Sequence, residues 1–96
     1  MLNHYNQALI DTDKALKIDP ENVIALGNRG EVHRMLENYD QALIDLDKAL
    51  EIDPENVLTL VNRGSVHLTL KNYNNALIDL DKVLNINPKN VPYFRD

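Results

Sequence analysis

The sequence predicts an all-α fold: an α-solenoid of about five helices stacked as antiparallel pairs, with a short C-terminal stub. Of the 62 residue pairs that lie 34 positions apart, 39 are identical, and self-similarity at such a period marks a stack of supersecondary units. Within each copy, apolar residues recur at steps of three and four, the spacing of one helix face. No segment alternates with the period of two that a strand requires. YNQALIDTDKALKIDPENV at Tyr5 returns as YDQALIDLDKALEIDPENV at Tyr39 and as YNNALIDLDKVLNINPKNV at Tyr73, while NRGEVH at Asn28 returns as NRGSVH at Asn62.

The period divides the chain into a partial repeat over 1–22, full repeats over 23–56 and 57–90, and the opening of a further repeat over 91–96. Met1-Leu2 corresponds to Met35-Leu36, the end of one helix type, and His4 falls in the following turn. A helix of the second type, called B, then runs from Tyr5 to Ile18 with Tyr5, Ala8, Leu9, Thr12, Ala15 and Leu16 on one face. It stops before Pro20, because proline disfavours helix in the residue that precedes it. Asn22 caps the next, A-type helix, Val23–Leu36, by offering its side-chain oxygen to an otherwise unpaired backbone N–H. Asn38 sits in the turn to the B helix Tyr39–Ile52, which ends at Pro54. Asn56 then caps the A helix Val57–Leu70, Asn72 sits in the turn to the B helix Tyr73–Ile86, which Pro88 stops, and Asn90 caps the start of a further A helix.

Each A helix carries two apolar stripes on adjacent faces, Val23/Leu26/Gly30/His33 and Ala25/Arg29/Val32/Leu36 in the first, so it must touch helices on two sides. Gly30 and Gly64 in mid-helix each cost about 1 kcal/mol against alanine, which a close helix approach offsets. Arg29 and Arg63 interrupt an apolar stripe, and a buried guanidinium needs an acidic partner. The repeated set Asp11, Asp45 and Asp79 shares the small-residue face of the B helices and supplies it. Asp11–Lys14, Asp45–Lys48 and Asp79–Lys82, at i, i+3, also read as surface pairs worth tenths of a kcal/mol.

The 96 residues are 44% hydrophobic and 26% charged, within the ordinary globular range. A net charge of -5 repels phosphate backbones and anionic lipid, so neither nucleic acid nor membrane is an expected partner. The chain has no cysteine, and MLNHYNQALIDTD has neither a basic lead nor an unbroken apolar stretch, which favours a soluble, cytoplasmic protein. No catalytic, cofactor-binding or metal site is expected. Ser65 is the one serine, there is no glycine-rich loop, and His33 and His67 sit on separate helices about 10 Å apart, too far for one zinc. The paired acids Asp11/Asp13, Asp45/Asp47 and Asp79/Asp81 repeat with the period, and i, i+2 neighbours on a helix point in different directions.

These motifs make the chain resemble the tetratricopeptide repeat family, whose unit is a 34-residue helix-turn-helix with the signature W-x2-L-G-x2-Y…A-x3-F…P. Gly30 and Gly64 match its glycine, Ala8, Ala42 and Ala76 its small residue, and Pro20, Pro54 and Pro88 its proline. Leu26, Leu60 and Phe94 stand at the tryptophan site and Thr12, Leu46 and Leu80 at the phenylalanine site, while Arg29 and Arg63 replace leucine and His33 and His67 replace tyrosine. The resemblance implies a right-handed superhelix, a protein-interaction role without catalysis, and a concave groove lined mainly by A helices.

Once the packing stripes are assigned, the remaining A-helix face holds Ile24, Gly27, Asn28, Glu31, Arg34 and Met35 in one copy and Leu58, Val61, Asn62, Ser65, Leu68 and Thr69 in the next. Only Asn28 and Asn62 agree, so the copies share their packing and differ in the groove. The expected ligand is a protein segment, a peptide or a partner helix of apolar or amphipathic character, with the asparagines bonding its backbone. Chaperone-binding members of the family clamp a C-terminal carboxylate with lysines, an arginine and asparagines; those positions fall here at Gly27, Glu31, Asn62, Pro92 and Asp96, and Asn62 alone matches. A self-assembling structural protein is the alternative. Leu77, Leu80 and Leu84 have only the stub to cover them and no polar capping helix is written, which favours a homo-oligomer, a closed dimer ahead of open stacking.

Overall fold

Among the described residues, five helices follow in the predicted order: α1 Leu2–Ile18, α2 Val23–Met35, α3 Tyr39–Ile52, α4 Val57–Thr69 and α5 Tyr73–Ile86. The computed structural model describes residues 2–86, with side chains from His4 onward. Pro88, Asn90 and the stub over 91–96 with Phe94 lie outside the described residues. The A-type helix α2 packs against α1, α3 and α4, and α4 against α3 and α5 as well. Two packing stripes on each A helix therefore have a B helix on either side, as their adjacency requires.

The core is a row of small clusters rather than one centre. Leu16, Ala25, Leu26 and Ala49 join α1, α2 and α3; Ala42, Leu46 and Val66 join α3 to α4; Leu50, Leu60 and Val83 join α3, α4 and α5. Each cluster draws only on consecutive helices, so stability accumulates along the stack.

The asparagine caps of α2 and α4 form. Asn22 Oδ1 accepts the Ala25 N–H at 3.1 Å, and Asn56 Oδ1 accepts the Thr59 N–H at 3.0 Å and its hydroxyl at 3.0 Å. Asn38 and Asn72 sit in the A-to-B turns as expected, and the backbone closes them. Asn38 N–H reaches back to His33 O at 2.7 Å and Glu37 N–H to Arg34 O at 3.0 Å, the two bonds of a Schellman ending, and Asn72 and Lys71 repeat it. The left-handed residue is thus Glu37 (φ 64°) or Lys71 (φ 66°), where a side chain is strained. Glu37→Gly is expected to raise stability by about 0.5 to 1 kcal/mol in urea melts, since glycine takes this conformation without the Cβ conflict.

The start of α1 corrects the sequence reading. Residues 2–4 are helical and continue into α1, although their counterparts Leu36, Glu37 and Asn38 form a turn. His4 is therefore an exposed helix residue rather than a turn residue. Leu-Asn-His-Tyr contains no glycine or proline to break a helix, so only Schellman bonds of the kind α2 makes would turn the chain there.

Candidate functional site

Two arginines hold the A helices in place. From α2, Arg29 donates Nε to Asp45 Oδ2 at 2.8 Å and Nη2 to Asp45 Oδ1 at 2.9 Å, a bidentate pair with α3, and Nη1 to Asp13 Oδ1 of α1 at 2.8 Å. Arg63 of α4 repeats this one period on, with Asp79 of α5 at 2.9 and 2.7 Å and Asp47 of α3 at 3.0 Å. Each guanidinium thereby links three consecutive helices. Hydrogen bonding to Asp45 dominates in raising the Arg29 guanidinium above its already high ordinary value, against desolvation and with help from Asp13.

Sequence reasoning anticipated that each arginine pairs with a member of the set Asp11, Asp45 and Asp79, here Asp45 and Asp79, and missed the second carboxylate. Asp13 and Asp47 point away from Asp11 and Asp45, as i, i+2 residues must, and so reach the arginine of the following A helix. The surface-pair reading of Asp45–Lys48 and Asp79–Lys82 is overturned: Asp45 and Asp79 are 4% and 2% exposed and committed to guanidinium.

With their other faces packed, α2 and α4 turn one side outward, and the twelve groove residues distribute over it unevenly. Ile24 and Leu58 project at 74% and 67% exposure, and Met35, Val61 and Leu68 are also exposed large apolar side chains. Asn28 and Thr69 are exposed, and the Thr69 hydroxyl bonds back to Ser65 O at 3.0 Å. Glu31 and Arg34 are half-buried and bind each other at 3.1 Å, so the groove's cation is already neutralised.

Gly27 and Asn62 sit deeper than the rest of the predicted face. Gly27 is half-buried, and a Cβ there would stand 3.3 Å from Thr59 Oγ1 of α4. Asn62 is buried in the cleft that Gly27, Asn28, Leu58 and Thr59 line between the two A helices, whereas Asn28 on the same cleft is open. The two asparagines therefore present themselves unequally.

Among the described residues, no cluster of three His, Asp or Glu is placed to hold a metal ion, and no helix is long and apolar enough to cross a membrane. Family models described as tetratricopeptide repeat match residues 23–56 and 58–90. The chain belongs to the tetratricopeptide repeat family. Solved tetratricopeptide structures share its fold. The Arabidopsis OM64 domain is 29% identical at a TM-score of 0.85 over 91% of this chain and 72% of that one. A tetratricopeptide repeat protein from Parabacteroides merdae is 33% identical at 0.84, covering 92% of this chain but 34% of that protein. TPR2B of yeast Sti1, solved in complex with pHsp70, is more distant, 24% identical at 0.84 over 91% and 70% of the two chains. No curated protein matches the chain in sequence. Within this tetratricopeptide array the family's tryptophan site holds Leu26 and Leu60, each 1% exposed, so the smaller side chains still fill the core.

Proposed function

We propose that the chain is a non-catalytic protein-interaction module that takes an apolar or amphipathic segment, a peptide or a partner helix, on the outward face of α2 and α4. The observation that carries this is the row of exposed Ile24, Leu58, Val61 and Leu68 beside Asn28, on the one face of each A helix that the stack leaves unused. Apolar side chains supply the affinity of such a site and an open asparagine aligns a backbone. A free C-terminal carboxylate is not required, because Glu31 occupies Arg34 and the other clamp positions on the described helices are Gly27 and Asn62. The cysteine-free composition supports a cytoplasmic setting.

Affinity capture by the wild-type chain, compared with Leu58→Glu and Val61→Lys, tests this reading. Each variant puts an unpaired charge into an apolar contact and should lower binding at least tenfold. Retention by both variants, with loss in Ile78→Glu on α5, would move the binding surface to the B helices.

Self-association is the second reading, supported by Leu77 and Leu84 of α5. They are 57% and 45% exposed, whereas their counterparts in α3 are better covered, Leu43 half-buried and Leu50 7% exposed. Burying such surface yields about 25 cal/mol per Å², and a two-fold contact of like ends closes as a dimer. Sedimentation at tens of micromolar is expected to show twice the 11.0 kDa chain mass under this reading and a single monomer otherwise.

A further inference from the structure

We propose that the hollow between α1, α2 and α3 is a second docking site, separate from the groove, which takes an apolar side chain flanked by carboxylates on an acidic segment of a partner protein. The hollow measures about 530 Å³, and Leu16, Leu26 and Ile44 give it an apolar lining beside Lys17 and Lys48. None of the twelve groove residues lines it. Ile44 is 60% exposed although α3 is packed by both α2 and α4, so the helix stack itself leaves this side chain uncovered. Leu16 and Leu26 are 9% and 1% exposed, which makes the hollow a shallow seat rather than a closed pocket. A free small acid would bury little of itself there, whereas a chain adds contacts on either side of the seated residue.

Charge specifies the occupant. Arg29, Asp13 and Asp45 also line the hollow, but they are committed to one another. Lys17 and Lys48 are exposed, and among the described residues neither joins an ion pair. Lys48 lacks its i-3 partner because Asp45 gives both oxygens to Arg29. An incoming carboxylate therefore meets two ammonium groups that no other group neutralises. Screening confines charge effects to about 8 Å in physiological salt, so these two neighbours outweigh the chain's overall charge of -5.

The repeat contains its own comparison. One period on, Leu50, Leu60, Arg63 and Lys82 line an equivalent hollow between α3, α4 and α5, but Glu51 stands where the first has Lys17. Two cations there, Arg63 and Lys82, face Asp47 and Glu51, and Arg63 is bonded to Asp47 and Asp79. An acidic segment meets like charge at Glu51 and is turned away. Helix chemistry does not account for the change, since Glu51 lies in the last turn of α3, where the macrodipole favours a cation such as Lys17 in the last turn of α1. Lys17 is thus the residue that selects which of the two hollows an acidic partner enters.

The probe is the peptide acetyl-Glu-Glu-Leu-Glu-Glu-amide, which has no free C-terminal carboxylate, titrated into the isotope-labelled full chain and followed by amide shifts. Saturable shifts centred on Lys17, Ile44 and Lys48 are expected. Lys17→Glu should weaken binding about tenfold or more, and alanine in place of the peptide's leucine should weaken it several-fold. Lys14→Glu changes the net charge equally at an exposed lysine outside the hollow and should leave the affinity unchanged. Glu51→Lys should add a second set of saturable shifts around Leu50 and Lys82. Absence of saturable shifts, equal weakening by Lys17→Glu and Lys14→Glu, no second set in Glu51→Lys, or shifts centred on Ile24, Asn28 and Leu58 would each overturn the proposal. Leu58→Glu, which tests the groove, should not touch this titration, so the two readings fail separately.

Discussion

Asp45→Ala is expected to destabilise the chain by about 3 to 5 kcal/mol in urea unfolding, the scale for stranding one partner of a buried ion pair. The Asp45 side chain is 6% exposed and takes both of its oxygens to Arg29, whose side chain is 27% exposed. Removing the carboxylate leaves the guanidinium with Asp13 alone, and the Asp13 side chain is 59% exposed and solvated. Asp13→Ala should accordingly cost less than about 1 kcal/mol, as exposed pairs do. The Arg29→Met, Asp45→Leu double variant should recover most of the loss, because an apolar pair removes the desolvation cost along with the attraction. Equal small losses in Asp45→Ala and Asp13→Ala would show that Arg29 simply extends to solvent past both acids.

The pattern of success in the sequence reading has a physical basis. Helix type, order and the proline stops were legible because they rest on spacing within one segment, and Asn22 and Asn56 were legible as caps because a cap acts over three residues. The Arg29–Asp45 pair was also within reach: an arginine in an apolar stripe and an aspartate on a small-residue face each require an explanation, and one explains the other. Asp13 could not be found that way, since an exposed acid needs no partner and its role depends on where the next A helix lies. Glu37 in the left-handed region carries no signal in its residue type, as glycine would have. The unequal burial of Asn28 and Asn62 depends on how closely α2 and α4 approach through Gly27 and Thr59, a distance that identical residues in successive repeats do not encode.

Gly30 and Gly64 are identical in the repeat and should respond oppositely to alanine. At both sites alanine favours the helix by about 1 kcal/mol. At Gly30 the new Cβ would meet Leu46 at 2.7 and 2.8 Å and the Ala42 carbonyl oxygen at 3.4 Å. Leu46 is wholly buried among Ala42 and Val66, so it has nowhere to retreat without moving α4. Overpacking of this kind costs about 1 to 3 kcal/mol, and Gly30→Ala should be destabilising on balance by up to about 2 kcal/mol. At Gly64 the nearest atoms are Leu80 Cδ2 and Cγ at 3.3 and 3.4 Å, on a side chain only partly buried and able to shift. Gly64→Ala should therefore be neutral or stabilising by up to about 1 kcal/mol. Leu46→Ala deletes both the δ- and the γ-carbon that collide, so the Gly30→Ala, Leu46→Ala pair should cost clearly less than its two single changes combined. Additive losses in that cycle, or matching losses at the two glycines, would mean that neither position is set by the leucine beneath it.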